Sequence, residues 1–301
     1  MNKENALPQP PPDPRDTWGL PAFGQLPPVA KLDELTTRVI ADNPSPLTLD
    51  GTNTYVVGTA GSGNVVIIDP GPSLTNHLET TKSLLAQYDS SCSYILVTHH
   101  HPDHAEAAKE WAAFFGCKIA AFSPEVAGEN GVLIADGTVI HVDELRITTV
   151  ATPGHCDDHL SFSLPNGALI TGDHILGRGT AMIAWPEGKM DVYLSSLHKV
   201  ASMDPAALYP GHGPELRQDP LAVIDFYLDH RKYREAQILE ALSEGPLTPP
   251  ELVSSIYKDV EQRLWPAAEL STRATLLKLE TEGAVLSKQG VYRLAHSEPT
   301  T

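Results

Sequence analysis

The chain has 301 residues, 41% of them hydrophobic and 20% charged, so it can bury one large core and a second small one without covalent staples. Its 38 acidic residues against 21 basic ones give a net charge of −17, which argues against wholesale electrostatic capture of nucleic acid while leaving room for a local basic groove. Three scattered cysteines, Cys92, Cys117 and Cys156, exclude a disulfide framework and fit a reducing compartment.

The opening run, MNKENALPQPPP, has no basic stretch followed by an apolar one, and no apolar run reaches membrane-spanning length. A cytoplasmic protein with no membrane partner is expected. Residues 1–35 are Pro-rich and poor in apolar side chains, which predicts a largely disordered arm. Trp18 and Phe23 are its expected points of contact with the rest of the chain.

From Thr36 the pattern becomes regular. Short β-branched runs predict strands at Tyr55–Val57, Val65–Asp69, Tyr94–Thr98, Lys118–Phe122, Val139–Val142, Leu145–Val150, Leu160–Leu164, Ala168–Thr171 and Leu208-Tyr209. Helices are predicted at about 73–88, 103–115 and 190–203. Ala60-Gly61-Ser62-Gly63 and Pro165-Asn166-Gly167 read as hairpin turns. A mixed α/β (α+β) fold follows, with helices outside its sheets.

A long amphipathic helix is predicted at about 219–243, stopped by Gly245-Pro246. Thr248-Pro249-Pro250-Glu251 then combines a capping hydroxyl, Pro in the first turn and Glu three residues on. A helix at about 267–281, Gly283 and two β-like runs complete a winged-helix-like unit. The expected layout is an arm (1–35), a catalytic domain (36–230), a connecting helix (231–245) and the winged-helix-like domain (246–301).

Chemistry concentrates at residues 98–104, Thr-His-His-His-Pro-Asp-His. The chain holds 13 histidines, and four of them within six positions is far from a chance spacing. His99 and His101 share one side of an extended backbone; Asp103 and His104 come as the chain turns into a helix. Three later strands each end on a residue of metal-ligand type just past small turn residues: His155 after ATPG, Asp173 after LITG and His212 after LYPG. Imidazole and carboxylate suit zinc and are acceptable to manganese or iron.

These motifs, in this order, resemble the metallo-β-lactamase fold superfamily, whose H-x-H-x-D-H signature is matched by His99 to His104. The likeness spans roughly residues 36–230 and implies an αββα sandwich. It also implies a ligand set: His99, His101 and His155 on one metal, Asp103, His104 and His212 on the other, and Asp173 bridging. Asp173 stands where thiolate-ligated lactamases have Cys, so antibiotic hydrolysis is not the expected activity. Thr52-Asn53-Thr54-Tyr55, PGHCDDH, GDHILGRGT, YPGHGP and the terminal winged helix are similar to the β-lactamase-like-protein-2 family, which includes a single-strand endoribonuclease, and to thioesterases that release polyketides. Cys156, where many relatives carry Thr, and His174, after the bridging Asp, depart from that pattern.

Two zinc ions, or manganese or iron in their place, would lower the pKa of a shared water. The expected reaction is metal-assisted hydrolysis, with Asp103 both ligand and holder of the nucleophile's proton. Single-stranded RNA is the first substrate reading. A thioester or lactone is the alternative, and a metal-dependent binding protein without turnover is the third. The second winged-helix segment mixes Glu269, Glu280 and Glu282 with Arg273 and Lys278, so sequence-specific DNA reading is not expected; a cleft wall or an oligomer contact suits it better. His159 is read as a donor to a leaving group or, preferably, as a side chain bonded to a carboxylate behind the ligands. Asp69 is expected to orient the His loop, Asp157 and Asp158 to fix their own, and His100 to point away from the metals. Cys156 is read as a small, partly buried side chain, and His77, His141, His198 and His230 as surface or packing residues.

Overall fold

The computed structural model describes residues 9–61 and 63–295. Its first sheet comprises β1 (Val29–Lys31), β2 (Thr36–Ile40), β3 (Asn53–Val57), β4 (Asn64–Ile68), β5 (Ser91–Leu96), β6 (Lys118–Ala121) and β7 (Val132–Leu133), in that spatial order. Between these strands lie α1 (Thr75–Gln87), α2 (Pro102–Ala105), α3 (Ala108–Phe115) and α4 (Pro124–Ala127). The second sheet runs in the reverse order of the chain: β12 (Ala207–Pro210), β11 (Ala168–Gly172), β10 (Leu160–Ser163), β9 (Leu145–Ala151) and β8 (Val139–Val142), with α5 (Met190–Ser202) before β12. The turn through Pro165-Asn166-Gly167 joins β10 to β11 antiparallel. The other predicted turn joins β3 to β4, its Ser62 lying outside the described residues.

Strand alternation explains the layers. On β3 and β4, Tyr55, Val57, Val66 and Ile68 face the second sheet, meeting Ile147, Phe162, Ile170 and Tyr209. Their neighbours Val56, Val65 and Ile67 face out onto Leu78, Leu84 and Leu85 of α1 and Trp111 of α3. Both faces of these strands are therefore buried, which is why they read as continuous apolar runs. On the far side, Val150, Leu169 and Leu208 pack against α5 and the first half of α6 (Pro220–Ser243). Helix, sheet, sheet, helix is the αββα sandwich that the motifs implied.

Helix α6 does not stop at a domain boundary. Val223, Ile224, Tyr227 and Leu228 belong to the sandwich, whereas Ile238 and Leu242 belong to a separate small core. That core also takes Leu252 of α7 (Pro249–Ile256), Leu276 and Leu279 of α8 (Trp265–Thr281), and Val285 of the hairpin β13 (Val285–Lys288) and β14 (Val291–Leu294). This is the winged helix. The Glu251 carboxylate accepts from both the backbone N–H and the hydroxyl of Thr248 at 2.7 and 2.6 Å, the cap expected there. Ala274 packs into the sandwich's outer core, and the Ile183 N–H donates to Ser271 Oγ at 3.0 Å, so the two units are docked.

Three expectations need correction. The helix expected at about 103–115 is two, α2 and α3, separated at Glu106 and Ala107. The Pro-rich arm is ordered over its described residues 9–35, with a 3-10 turn at Pro14–Thr17 and β1 on the sheet edge. Composition misleads because the arm's anchor is a charge: Arg15, buried, donates to the carbonyls of Leu176 and Gly179 at 2.8 and 2.6 Å and to Asp13. Its guanidinium lies 5.3 and 5.7 Å from the ring centres of Phe226 and Tyr227. Trp18 packs on the sandwich as expected, but Phe23 is 60% exposed and anchors nothing. No helix among the described residues is long and apolar enough to cross a membrane.

Candidate metal centre

Loops leaving the carboxyl ends of β4, β5, β9, β11 and β12 meet at one end of the sandwich, where sheets of this kind usually bind ligands. Asp69 leaves β4, Thr98 to His104 leave β5, His155 follows β9, Asp173 follows β11 and His212 follows β12. All seven sequence-predicted ligands come together there, in two groups.

In the first group, His101 Nδ1 stands 3.0 Å from His99 Nε2 and 3.0 Å from His155 Nε2. In the second, His212 Nε2 lies 3.2 Å from both His104 Nε2 and Asp103 Oδ2. Asp173 stands between the groups. Its Oδ1 is 3.4 Å from His104 Nε2 and 3.3 Å from His212 Nε2, and its Oδ2 is 3.8 Å from His155 Nε2. Asp173 Oδ1 is buried and takes no hydrogen bond. Ligand atoms held tetrahedrally at about 2.0–2.1 Å from an ion stand about 3.4 Å from one another. The spacing in both groups thus fits a small divalent cation, and the orphaned oxygen is aimed at the same place.

Each imidazole is tied at its other nitrogen, which fixes the nitrogen it presents. His104 Nδ1 donates to Asp69 Oδ2 at 2.8 Å, His155 Nδ1 to the Met182 carbonyl at 2.6 Å and His212 Nδ1 to the Gly51 carbonyl at 3.2 Å. His101 Nε2 is 3.2 Å from Glu187 Oε1, and His99 Nδ1 is 2.9 Å from Thr98 Oγ1. Asp69 also accepts from the N–H and hydroxyl of Thr98, both at 2.8 Å, so it does orient the His loop. Gly211 lets the β12 turn pass close: a Cβ there would meet Asp173 Oδ1 and His104 Cε1, each at 2.7 Å.

The two groups differ in charge. Burial, then the fields of His104, His159 and His155, hold His99 well below the usual imidazole range; burial likewise lowers His155. These are neutral rings with lone pairs to offer. In the other group burial opposes charge, but Asp173, Asp103 and Asp69 hold His104 well above that range. Asp173 and Asp103 likewise hold His212 up at about 9 against its burial. Burial also opposes ionisation of Asp103, yet His104 and His212 hold it down at about 2.

Other predicted residues take different places. His100 turns away from the ligand groups to Asp158 Oδ1 at 2.9 Å. Cys156 is fully buried and donates to the same oxygen at 3.2 Å; burial, with Asp158 beside it, pushes its thiol up, so it is a poor source of thiolate. Among the described residues His159 is bonded to no carboxylate. Its Nε2 accepts from the Asp173 N–H at 3.1 Å and its Nδ1 faces Thr152 Oγ1 at 2.8 Å, so neither nitrogen is free for a leaving group. His77 packs on Trp111 and pairs with Thr54, and His141 and His198 are exposed.

Above the ligands lies a cleft of about 420 Å³. Leu47, Leu49, Leu176 and Met182 line one side; Tyr257, Val260, Leu264 and Ala268 of the winged-helix unit line another. That unit is therefore a cleft wall. Arg178, His230, Arg231 and Arg234 also face the cleft. Sequence reading missed these four, and it missed Glu187, Met182 and Gly51: the last two act through carbonyls, which leave no side-chain signature.

Comparison with known proteins agrees with this architecture. The sequence profile of the metallo-beta-lactamase superfamily matches residues 47–212, and that of the beta-lactamase associated winged helix domain matches residues 248–293. The chain is 32% identical to a beta-lactamase-like protein 2 homolog of Drosophila melanogaster, over 92% of this chain and 98% of that one. It is 31% identical to an atrochrysone carboxyl ACP thioesterase of Aspergillus fumigatus, over 77% and 76% of the two chains. Its fold matches the crystal structure of a metallo-beta-lactamase family protein from Thermus thermophilus with a TM-score of 0.73 at 23% identity, over 88% of this chain and 100% of that one. With its winged helix appended, the chain belongs to the metallo-β-lactamase superfamily of hydrolases and groups with the β-lactamase-like protein 2 homologues.

Proposed function

We propose that this protein is a hydrolase that uses two divalent cations, zinc by ligand type, to cleave an acyl thioester or a related ester. The observation that carries the two-cation reading is Asp173, whose two carboxylate oxygens face different ligand groups. His99, His101 and His155 would hold one ion, Asp103, His104 and His212 the other, with Asp173 shared between them. The ions, when bound, would supply Lewis acidity and a water ionised near neutral pH.

The remaining chemistry belongs to the chain. Asp103 is about a third exposed where Asp173 is 14% exposed, so it is the carboxylate that reaches into the cleft and holds the proton of the attacking water. Asp69, Glu187 and the Met182 and Gly51 carbonyls keep the histidines oriented. A thiolate departs without a proton donor more readily than an amine does, its conjugate acid having a pKa of about 8.5. That suits a site in which His159 is turned away from the cleft.

Cleft shape favours the acyl substrate over RNA. The walls are mainly aliphatic. Tyr257 is the one Phe, Tyr or Trp side chain lining the cleft among the described residues, and the Arg234 guanidinium, 4.2 Å from its ring centre, already covers one of its faces. Single-stranded RNA is the second reading, favoured by the three arginines. The test is a panel of acyl thioesters, a lactone and a labelled single-stranded RNA, with metal analysis of the same preparation. About two ions per chain are expected, with thioester turnover falling ~1000-fold or more in Asp103→Ala. Fewer than about one ion per chain would end the two-cation reading. RNA cleavage lost in Asp103→Ala, with thioesters untouched, would promote the second reading; an activity that Asp103→Ala retains undiminished belongs to a contaminant.

A further inference from the structure

The wall of the cleft carries three guanidinium groups, two of which lie over aromatic rings, Arg231 over Tyr193 and Arg234 over Tyr257. Arg231 and Arg234 sit three residues apart on α6 and so share a face, and Arg178 comes from the loop after β11. Among the described residues none of the three is in an ion pair with a carboxylate, although the chain has 38 acidic residues. Nε of all three, Nη2 of Arg178 and Nδ1 of His230 are buried and without a hydrogen bond. Arg231 is 6% exposed. Arg231 Nη2 is held by the Ala181 carbonyl and Arg234 Nη1 by Gln237 Oε1 at 2.8 Å, so these side chains are anchored while other donors stay unmatched. Burial first, and then the neighbouring Arg231, Arg234 and Arg15, hold His230 down at about 3. Buried guanidinium donors left without an acceptor are costly and rare in folded proteins.

We infer that Arg178, Arg231 and Arg234 form an anion subsite, and that the substrate hydrolysed at the cations carries a phosphate or carboxylate on the part that lies against them. The inference rests on the acyl reading above. Arg178, Arg231 and Arg234 line the same cleft as Asp103 and Asp173, so one molecule can touch both. The guanidinium fork matches an oxyanion in two hydrogen bonds, and the desolvated wall strengthens them. The anion has two chemical sources: a phosphate on the thiol portion, as in a phosphopantetheine-type thiol, or a carboxylate at the far end of the acyl portion.

Three thioesters separate these sources. One is a neutral acyl N-acetylcysteamine thioester, one carries the same acyl group on pantetheine 4′-phosphate, and one is a glutaryl N-acetylcysteamine thioester. Their kcat/KM values are compared in the metal-loaded full chain and in Arg178→Gln, Arg178→Lys and Arg234→Gln. Arg231 is spared because it ties down Ala181. One anionic substrate should lead the neutral one by about tenfold or more, through KM. Either Gln variant should shrink that lead about tenfold, and Arg178→Lys should recover part of it. Equal treatment of all three substrates by the unaltered protein overturns the inference, as does an equal loss on neutral and anionic substrates in the variants.

Inorganic phosphate, titrated calorimetrically onto the same metal-loaded proteins, gives a readout without turnover. The cations' share of binding is common to all, so the ratio reads the arginines; affinity about fivefold weaker in each Gln variant is expected. If phosphate binding weakens but no thioester is hydrolysed, the subsite stands and the acyl reading falls. Thioester hydrolysis without anion preference, and with phosphate affinity unchanged, sinks the subsite alone. Single-stranded RNA cleavage that drops about tenfold in the same variants, with no thioesterase activity, overturns the acyl assignment and gives the arginines to a phosphodiester.

Discussion

Along the floor of the cleft every ligand-type imidazole is tied at its far nitrogen: to Asp69, Glu187, Thr98 or a backbone carbonyl. Along the wall, Nε of Arg178, Arg231 and Arg234 and Nδ1 of His230 are buried with no hydrogen bond among the described residues. Both regions hold buried nitrogen atoms, so the difference lies in who satisfies whom. Floor side chains are pre-aimed by the protein, as a resident ion requires. Wall side chains are left open on one side, as suits a guest that comes and goes. The contrast locates where this protein invests in permanence and where it invests in exchange.

The contrast can be broken most sharply at Asp69. In Asp69→Asn the left-handed backbone (φ 52°) is tolerated, but the amide cannot accept from Thr98 and His104 as the carboxylate does. Affinity of the Asp103–His104–His212 group for its ion should fall about 10- to 100-fold, read by chelator competition. An equal fall in the His99–His101–His155 group would show that the floor does not divide as described.

Next in size is Arg15→Ala, which cuts the arm's hold on the carbonyls of Leu176 and Gly179, beside the wall's Arg178. A loss of about 1–3 kcal/mol in unfolding free energy is expected, together with a raised KM and little change in kcat. A variant with a lowered kcat and an unaltered KM would mean that the arm supports the floor instead.

The smallest effect should be at His100, which points to Asp158 and Glu187. His100→Ala should change metal content and turnover by less than about threefold. A larger loss would make Glu187, shared with His101, dependent on His100 for its position.

What the sequence disclosed and what it hid divide along the same line. His99 to His104, His155, Asp173 and His212 were legible because each stands just past an apolar strand, with small residues marking the turn. Local pattern is enough for that. The arginines were hidden because Arg178 and Arg231 are far apart in the chain and a net charge of −17 averages them away. Order in the arm was hidden for a related reason: Arg15 finds the Leu176 carbonyl 161 residues downstream, where composition has no reach. The edge strands β1 and β7 and the inner strand β2 were missed because Pro-rich sequence precedes β1, β7 is two residues long and the buried Arg38 interrupts the apolar run of β2. His159 was given the wrong partner, since its true one is a backbone N–H.

Pro102 starts a four-residue helix that carries Asp103 and His104 directly after His101, so one continuous segment feeds both ligand groups. The spacing between the two proposed ions is then a property of that segment's backbone, set before either ion arrives. An ion of a different radius in one group would pull on the segment that presents the ligands of the other. Metal choice in this protein would be made jointly, the first ion bound acting as a gauge against which the second is measured.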